Sequence, residues 1–195
     1  MGVISEEKAR LRTELQNALR TLSVSQRHQA SSRIQKFLFD SHLWKSSQTI
    51  MLFSALPGEP RTIEILRQAL QEDKICAYPK VHPATREMKL YSVRSPERLV
   101  RGNYGILEPD TDHAESVDIS RVELICVPGL GFDPLGNRLG RGYGFYDRFL
   151  NQRQFTGRSA GLHFKCQLVP TIPTQSHDQK VDYLLNEIDG LKDVS

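Results

Sequence analysis

Between Pro128 and Arg148 the chain carries glycine at 129, 131, 136, 140, 142 and 144, six of its thirteen. A segment this rich in glycine cannot be regular helix or strand throughout, because each glycine adds backbone freedom that ordering must remove. It is bounded by the apolar run Leu124-Ile-Cys-Val127 and by the apolar-periodic Phe145, Phe149 and Leu150. The pattern predicts strand, glycine-rich loop, helix. Such a loop can turn its N–H groups into one concavity, and a following helix start adds partial positive charge. Arg138 and Arg141 add full charges there. The expected guest is a polyphosphate.

The rest of the chain supplies the frame. Ser5 is placed to cap a first helix, with Leu11, Leu15, Ala18, Leu19 and Leu22 along one face. Ser23-Val-Ser-Gln26 has the capping-box pattern and opens a second helix, with Ala30, Ile34, Phe37 and Leu38 as its buried face. A strand is expected over 49–53 and a loop over 55–60. A helix capped by Thr62 should run to about Asp73, with Ile63, Leu66, Ala69 and Leu70 inward. Further strands are expected at 75–78, 88–93, 124–127, 159–164 and 181–185, with a helical turn opening at Ser95-Pro96. Strands alternating with helices predict an α/β fold: a single three-layer domain over 1–195, its central sheet largely parallel with helices on both faces. A crevice at the carboxyl ends of the strands should then hold the ligand, beside the loops after Phe53 and Val127.

Composition removes other classes. With 195 residues, 25% charged, the chain has no apolar run near the ~18 residues a membrane span requires. The N-terminus lacks the apolar core of a signal peptide, and position 6 is Glu rather than the Ser or Thr that myristoylation of Gly2 would want. Cys76, Cys126 and Cys166 are odd in number, widely spaced and set among apolar neighbours. They read as reduced core residues, with a cytoplasmic location expected. A net charge of +3 suits anionic ligands but is too dispersed for a nucleic-acid surface.

Two familiar phosphate motifs fail within the loop. No Gly-Lys-Ser/Thr closes a P-loop, and Gly140-Arg-Gly142-Tyr-Gly144 is followed by Phe where a dinucleotide fingerprint needs its last glycine. Asp147 would repel phosphate directly, so beside a phosphate nest it makes better sense as a magnesium ligand. A helix-start acid answering the macrodipole is the other reading. Phe132-Asp-x-x-Gly-Asn-Arg-Leu-Gly-Arg-Gly-x-Gly-Phe-Tyr-Asp147 closely resembles the signature of the 5-formyltetrahydrofolate cyclo-ligase family. The resemblance continues through Lys8-Ala-Arg-Leu-Arg12, Phe53 to Thr62, Tyr104-Gly-Ile-Leu-Glu-Pro109, and Gln167 to Asp182.

The resemblance implies an ATP- and Mg2+-dependent enzyme that cyclises 5-formyltetrahydrofolate to 5,10-methenyltetrahydrofolate and releases ADP and phosphate. It implies ATP contacts from Lys8, Arg12 and the stretch Arg138, Leu139, Gly140, Arg141, Gly142, Tyr143, Gly144, Phe145 and Tyr146. Of these, Arg141 and Tyr146 would be catalytic, and 141–145 would also border the folate. Ser54, Glu59 and Tyr104 would line the substrate, with Glu59 accepting from the pterin amino donors and Tyr104 stacking on its ring. Asp147 and Asp178 would hold magnesium. Alone, Lys8 and Arg12 read as a solvated helix surface, Glu59 as an exposed loop acid and Asp178 as a turn residue. The chain departs from the family with Tyr143 where relatives often have lysine or glycine, Phe145 where many have tyrosine, and Pro60-Arg61 after the substrate glutamate. The expected partner is the folate, with or without a polyglutamate tail, bound by a monomer without membrane or nucleic acid. The competing reading is a non-catalytic folate- or nucleotide-binding regulator on the same fold.

Overall fold

The computed structural model describes residues 3–82, 84–85, 87–102 and 105–195. Helix α1 (Val3–Thr21) starts earlier than expected, which puts Ser5 inside its first turn rather than at its cap. Nothing in Val3-Ile4 breaks a helix, so the first turn simply extends. Helix α2 (Val24–Asp40) opens on the expected capping box: Gln26 N–H donates to the Ser23 hydroxyl, and Ser23 N–H to Gln26 Oε1. Ala30, Ile34 and Leu38 are buried as expected, but Phe37 is exposed. It sits one position off the buried stripe, and Phe39 packs against the core instead. The short α3 (His42–Ser46) had no periodicity long enough to be seen; it buries Trp44, whose indole N–H donates to Glu72 at 2.9 Å.

The strands follow: β1 (Thr49–Met51), β2 (Ile75–His82), β3 (Glu87–Ser92), β4 (Leu99–Arg101), β5 (Leu107–Pro109), β6 (Ser116–Val117) and β7 (Leu124–Val127). Helix α4 (Ile63–Gln71) lies between β1 and β2. Thr62 does not cap it. Its backbone is already helical, and its hydroxyl donates to Phe53 O at 2.5 Å, tying the loop after β1 to the start of α4.

After β7 the glycine-rich segment is not one loop. It folds into a hairpin of β8 (Gly131–Phe132) and β9 (Arg138–Leu139) before the six-residue α5 (Phe145–Leu150). Strands β10 (Arg158–Leu162), β11 (Tyr183–Asn186) and β12 (Gly190–Asp193) complete the sheet. Its order among the described residues is β12-β11-β10-β7-β1-β2-β3-β6. The five central strands run parallel, and β12, β3 and β6 are antiparallel additions at the edges.

Alternation along the strands divides the core. Ile50, Leu52, Cys76, Leu124, Cys126 and Leu162 face one side with Leu19, Ile34, Leu38, Trp44 and Leu66 from α1–α4. Met51, Ala77, Ile125 and Val127 face the other, against Phe149 of α5. The mostly parallel α/β architecture with helices on both faces is therefore present. The three cysteines are free, two of them buried. Among the described residues no helix is long and apolar enough to cross a membrane.

Candidate functional site

A cavity of about 640 Å³ opens at the carboxyl ends of the central strands. The loop after β1 contributes Phe53, Ser54 and Glu59 to its lining, and the exit from β7 contributes Pro128 and Gly129. Ser54, Glu59, Lys8, Arg12, every residue from Arg138 to Asp147, and Asp178 all border it. Thus the residues singled out in four separate sequence segments meet in one hollow. Tyr104 lies outside the described residues.

The hairpin explains how Arg138 gets there. Asp133 is fully buried and accepts from the N–H groups of Leu135, Asn137 and Ile172, and from Asn137 Nδ2, all within 3.0 Å. Four donors on one carboxylate fix the turn between β8 and β9, as a charge-assisted network should. Below it, Gln167 donates to Gly129 O and Leu130 O and accepts from Phe164 N–H. Neither residue was singled out in the sequence, although Asp133 stands inside the signature.

Beyond β9 the chain turns outward. Gly142 and Gly144 have φ of +103° and +66°, a left-handed backbone that a side chain would resist. Gly144 starts α5 without any side-chain cap. Since α5 has only six residues, its dipole contributes less to the concavity than a long helix would, and the charge there comes mainly from side chains. Tyr143 is exposed and stacks on Phe145, centroids 5.8 Å apart.

Among the described residues, three lysine or arginine ion pairs join separate parts of the cavity wall. Lys8, buried on α1, pairs with Asp178. Arg138 Nη2 donates to Asp147 Oδ1 at 2.8 Å, with its guanidinium 5.6 Å from the Tyr146 ring centre. Arg141 Nη2 donates to Glu59 Oε1 at 3.0 Å. Arg12 instead donates from Nε to Gly140 O at 2.9 Å, pinning the glycine segment to α1.

Burial and these partners set the protonation of the site. Burial raises the Glu59 carboxyl, against the opposing pull of the Leu56 N–H on Oε2 and of Arg141. Burial also works to raise Asp178, but Lys8 and the Gln175 N–H outweigh it and hold the carboxyl below its ordinary value. The Tyr146 phenol is pushed upward, chiefly by burial and then by Glu59, so it stays a donor. The Ser54 hydroxyl is buried at the cavity without a hydrogen-bond partner among the described residues. The Arg138 Nε is orphaned in the same way. Buried groups of this kind ordinarily find partners, which a polar ligand in the cavity would supply.

The donor set also bears on a metal. No cluster of three or more possible metal ligands occurs among the described residues, so a dedicated all-protein metal cage is not built. Asp147 and Asp178 line the same cavity as four cationic side chains. That arrangement fits magnesium, which binds through one or two carboxylates and takes its remaining oxygens from phosphates and water.

Comparison with known proteins agrees with the geometry. The profile of the 5-formyltetrahydrofolate cyclo-ligase family matches residues 4–187. The chain belongs to this family. The 5-formyltetrahydrofolate cyclo-ligase of Mus musculus is 31% identical over 94% of this chain and 95% of its own. That of Haemophilus influenzae is 28% identical over 89% and 94%. The solution structure of Aquifex aeolicus 5,10-methenyltetrahydrofolate synthetase superposes with a TM-score of 0.84 at 31% identity, covering 96% of this chain and 92% of that one. The glycine-rich segment lies within the matched residues and forms a wall of the cavity.

Proposed function

We propose that this chain catalyses the ATP- and Mg2+-dependent cyclisation of 5-formyltetrahydrofolate to 5,10-methenyltetrahydrofolate, with release of ADP and phosphate. One observation carries the reading: the Arg141–Glu59 pair joins the glycine-rich segment to the loop after β1 inside one cavity. Two ligands that must react would then meet at that pair.

The chemistry asks for little covalent help. A formyl group on nitrogen is a poor electrophile. Transfer of the γ-phosphoryl group to the formyl oxygen breaks the β–γ bridging P–O bond and releases ADP. The N10 nitrogen of the folate then attacks the formyl carbon, its proton passes to a phosphate oxygen, and the C–O bond breaks as phosphate leaves. Catalysis of this type is positioning and charge neutralisation. Lys8, Arg12, Arg138 and Arg141 would hold the phosphates, with Leu139, Gly140, Gly142, Tyr143, Gly144 and Phe145 wrapping the nucleotide. Tyr146, kept neutral, would donate to the moving phosphoryl group and steady Arg138. Asp147 and Asp178 would hold Mg2+, whose charge offsets that of the phosphate oxygens. Ser54 and Glu59 would contact the folate, as would Tyr104.

The protein is taken to act as a cytoplasmic, single-domain monomer on a small-molecule substrate. Purified protein, incubated with 5-formyltetrahydrofolate, should develop methenyltetrahydrofolate absorbance only when ATP and Mg2+ are both present. Absorbance that rises equally without ATP, or not at all, rejects this function. Binding of folate without turnover would instead favour a regulator on the same fold.

A further inference from the structure

Four acidic side chains line the cavity among the described residues: Glu59, Glu108, Asp147 and Asp178. Three have cations, respectively Arg141, Arg138 and Lys8 for Glu59, Asp147 and Asp178. Glu108 has none. It is only 4% exposed, yet its carboxylate takes neither an ion pair nor a hydrogen bond from any described residue. It stands on β5 opposite Val100, and the same cavity has the apolar lining residues Ile106, Leu107, Pro79 and Met88. Its carboxylate lies over Gly102, where a Cβ would come within 2.2 Å of Oε2 and 2.4 Å of Cδ. Any side chain at 102 would displace it.

An ionised carboxylate buried beside apolar surface is costly unless donors meet it. No described residue supplies one, and a ligand in the cavity would. A phosphate would be repelled. A flat ring with N–H donors along its edge would suit both the apolar wall and the carboxylate. The reduced pterin of the proposed substrate has such an edge, bearing its 2-amino group and ring N–H groups. Glu59 alone is poorly placed to satisfy them all, since each of its oxygens already takes a protein donor.

We propose that Glu108 is a second folate-recognising carboxylate, which accepts N–H donors of the pterin ring and selects for that ring. The inference rests on the cyclo-ligase reading. It assigns Glu108 to substrate binding and leaves phosphoryl transfer to the arginine-bearing wall.

The test is calorimetric titration of wild type, Glu108→Gln and Glu108→Ala with 5-formyltetrahydrofolate and, separately, with Mg-ATP. Thermal midpoints establish that each variant is folded. Glu108→Ala should weaken folate binding by about tenfold or more, with ATP affinity unchanged within about twofold. Glu108→Gln keeps the shape and one acceptor, so it should fall between the two, and it carries the comparison if the alanine variant unfolds. In turnover, KM for folate should rise more than kcat falls. Gly102→Ala, which pushes the carboxylate aside, should weaken folate in the same direction. Unchanged folate affinity in a folded Glu108 variant overturns the assignment. So does a loss confined to ATP, which would place Glu108 against the nucleotide. A wild type that binds no 5-formyltetrahydrofolate overturns the cyclo-ligase reading itself, a different failure visible before any variant is made.

Discussion

The two halves of the glycine-rich segment look alike in sequence and behave oppositely in the fold. From Gly129 to Leu139, apart from the exposed turn at 134–135, the chain is buried, and the Asp133 carboxylate and the Gly129 and Leu130 carbonyls are met by protein donors. Glycine there serves close packing: a Cβ on Gly131 would meet Leu15 Cδ1 at 2.5 Å, and one on Gly129 the Phe132 ring at 2.8 Å. From Gly140 to Gly144 the chain borders the cavity and is largely exposed, and glycine serves backbone conformation instead. The two buried carboxylates beside these halves differ in the same way. Asp133 is closed on every side by fixed donors, whereas Glu59 shares one oxygen with a half-exposed arginine that can turn to a ligand. The first half builds the support, and the second half borders the cavity proposed to hold the substrate.

The comparison breaks most easily at Asp133. Its replacement by alanine should leave three backbone N–H groups and an amide unmet, lowering stability by at least about 3 kcal/mol. Denaturant unfolding followed by circular dichroism checks this. A loss below about 1 kcal/mol would mean that the hairpin does not depend on that carboxylate. Asp147→Asn, on the cavity side, should do the reverse. The fold should be kept while turnover drops by about a hundredfold or more, because the amide keeps the shape but loses the charge proposed to hold magnesium. Near-normal activity with an unaltered magnesium requirement removes that assignment. Arg141→Ala should weaken Mg-ATP by about 1.5–3 kcal/mol with little change in unfolding free energy. Unaltered nucleotide binding would return this arginine to a role in the Glu59 pair alone.

A smaller effect belongs to the buried half. His163 packs at a tilt against Phe132, centroids 5.1 Å apart, and burial lowers its pKa to about 4. A base whose folded pKa is depressed binds its proton more readily when unfolded. Stability should therefore fall as pH drops from about 6.5 to about 4. His163→Asn should show a shallower fall over that window. Parallel pH profiles would show that this imidazole does not carry the effect.

Local chemistry was legible in the sequence and long-range chemistry was not. The Ser23 capping box could be read because donor and acceptor lie three residues apart. Thr62 also carries a cap-type hydroxyl but donates it to Phe53 O, nine residues back, and only the fold reveals it. The β8–β9 hairpin escaped because two-residue strands carry no periodicity, and Phe37 escaped because one step of phase separates core from solvent. Resemblance gathered Lys8, Glu59, Arg138, Arg141, Asp147 and Asp178 into one expected site. It did not indicate that three ion pairs would already link them, nor that Glu108 would be left without one. A charge in a loop reads as solvated until its neighbours are known.

Glu59→Gln bears most directly on the claim that the exposed glycine half and the loop after β1 form one two-substrate cavity. Burial raises the Glu59 pKa, so its ionised form costs stability above that pKa. A neutral glutamine should leave the protein at least as stable at pH 7. Titration with 5-formyltetrahydrofolate should nevertheless show affinity reduced about tenfold or more, since the amide turns donors toward donors. Mg-ATP affinity should not weaken, because Arg141 is released rather than lost. Wild-type folate affinity in this variant would contradict the account: the loop after β1 would not form the pterin pocket, and the Arg141–Glu59 pair would be structural only.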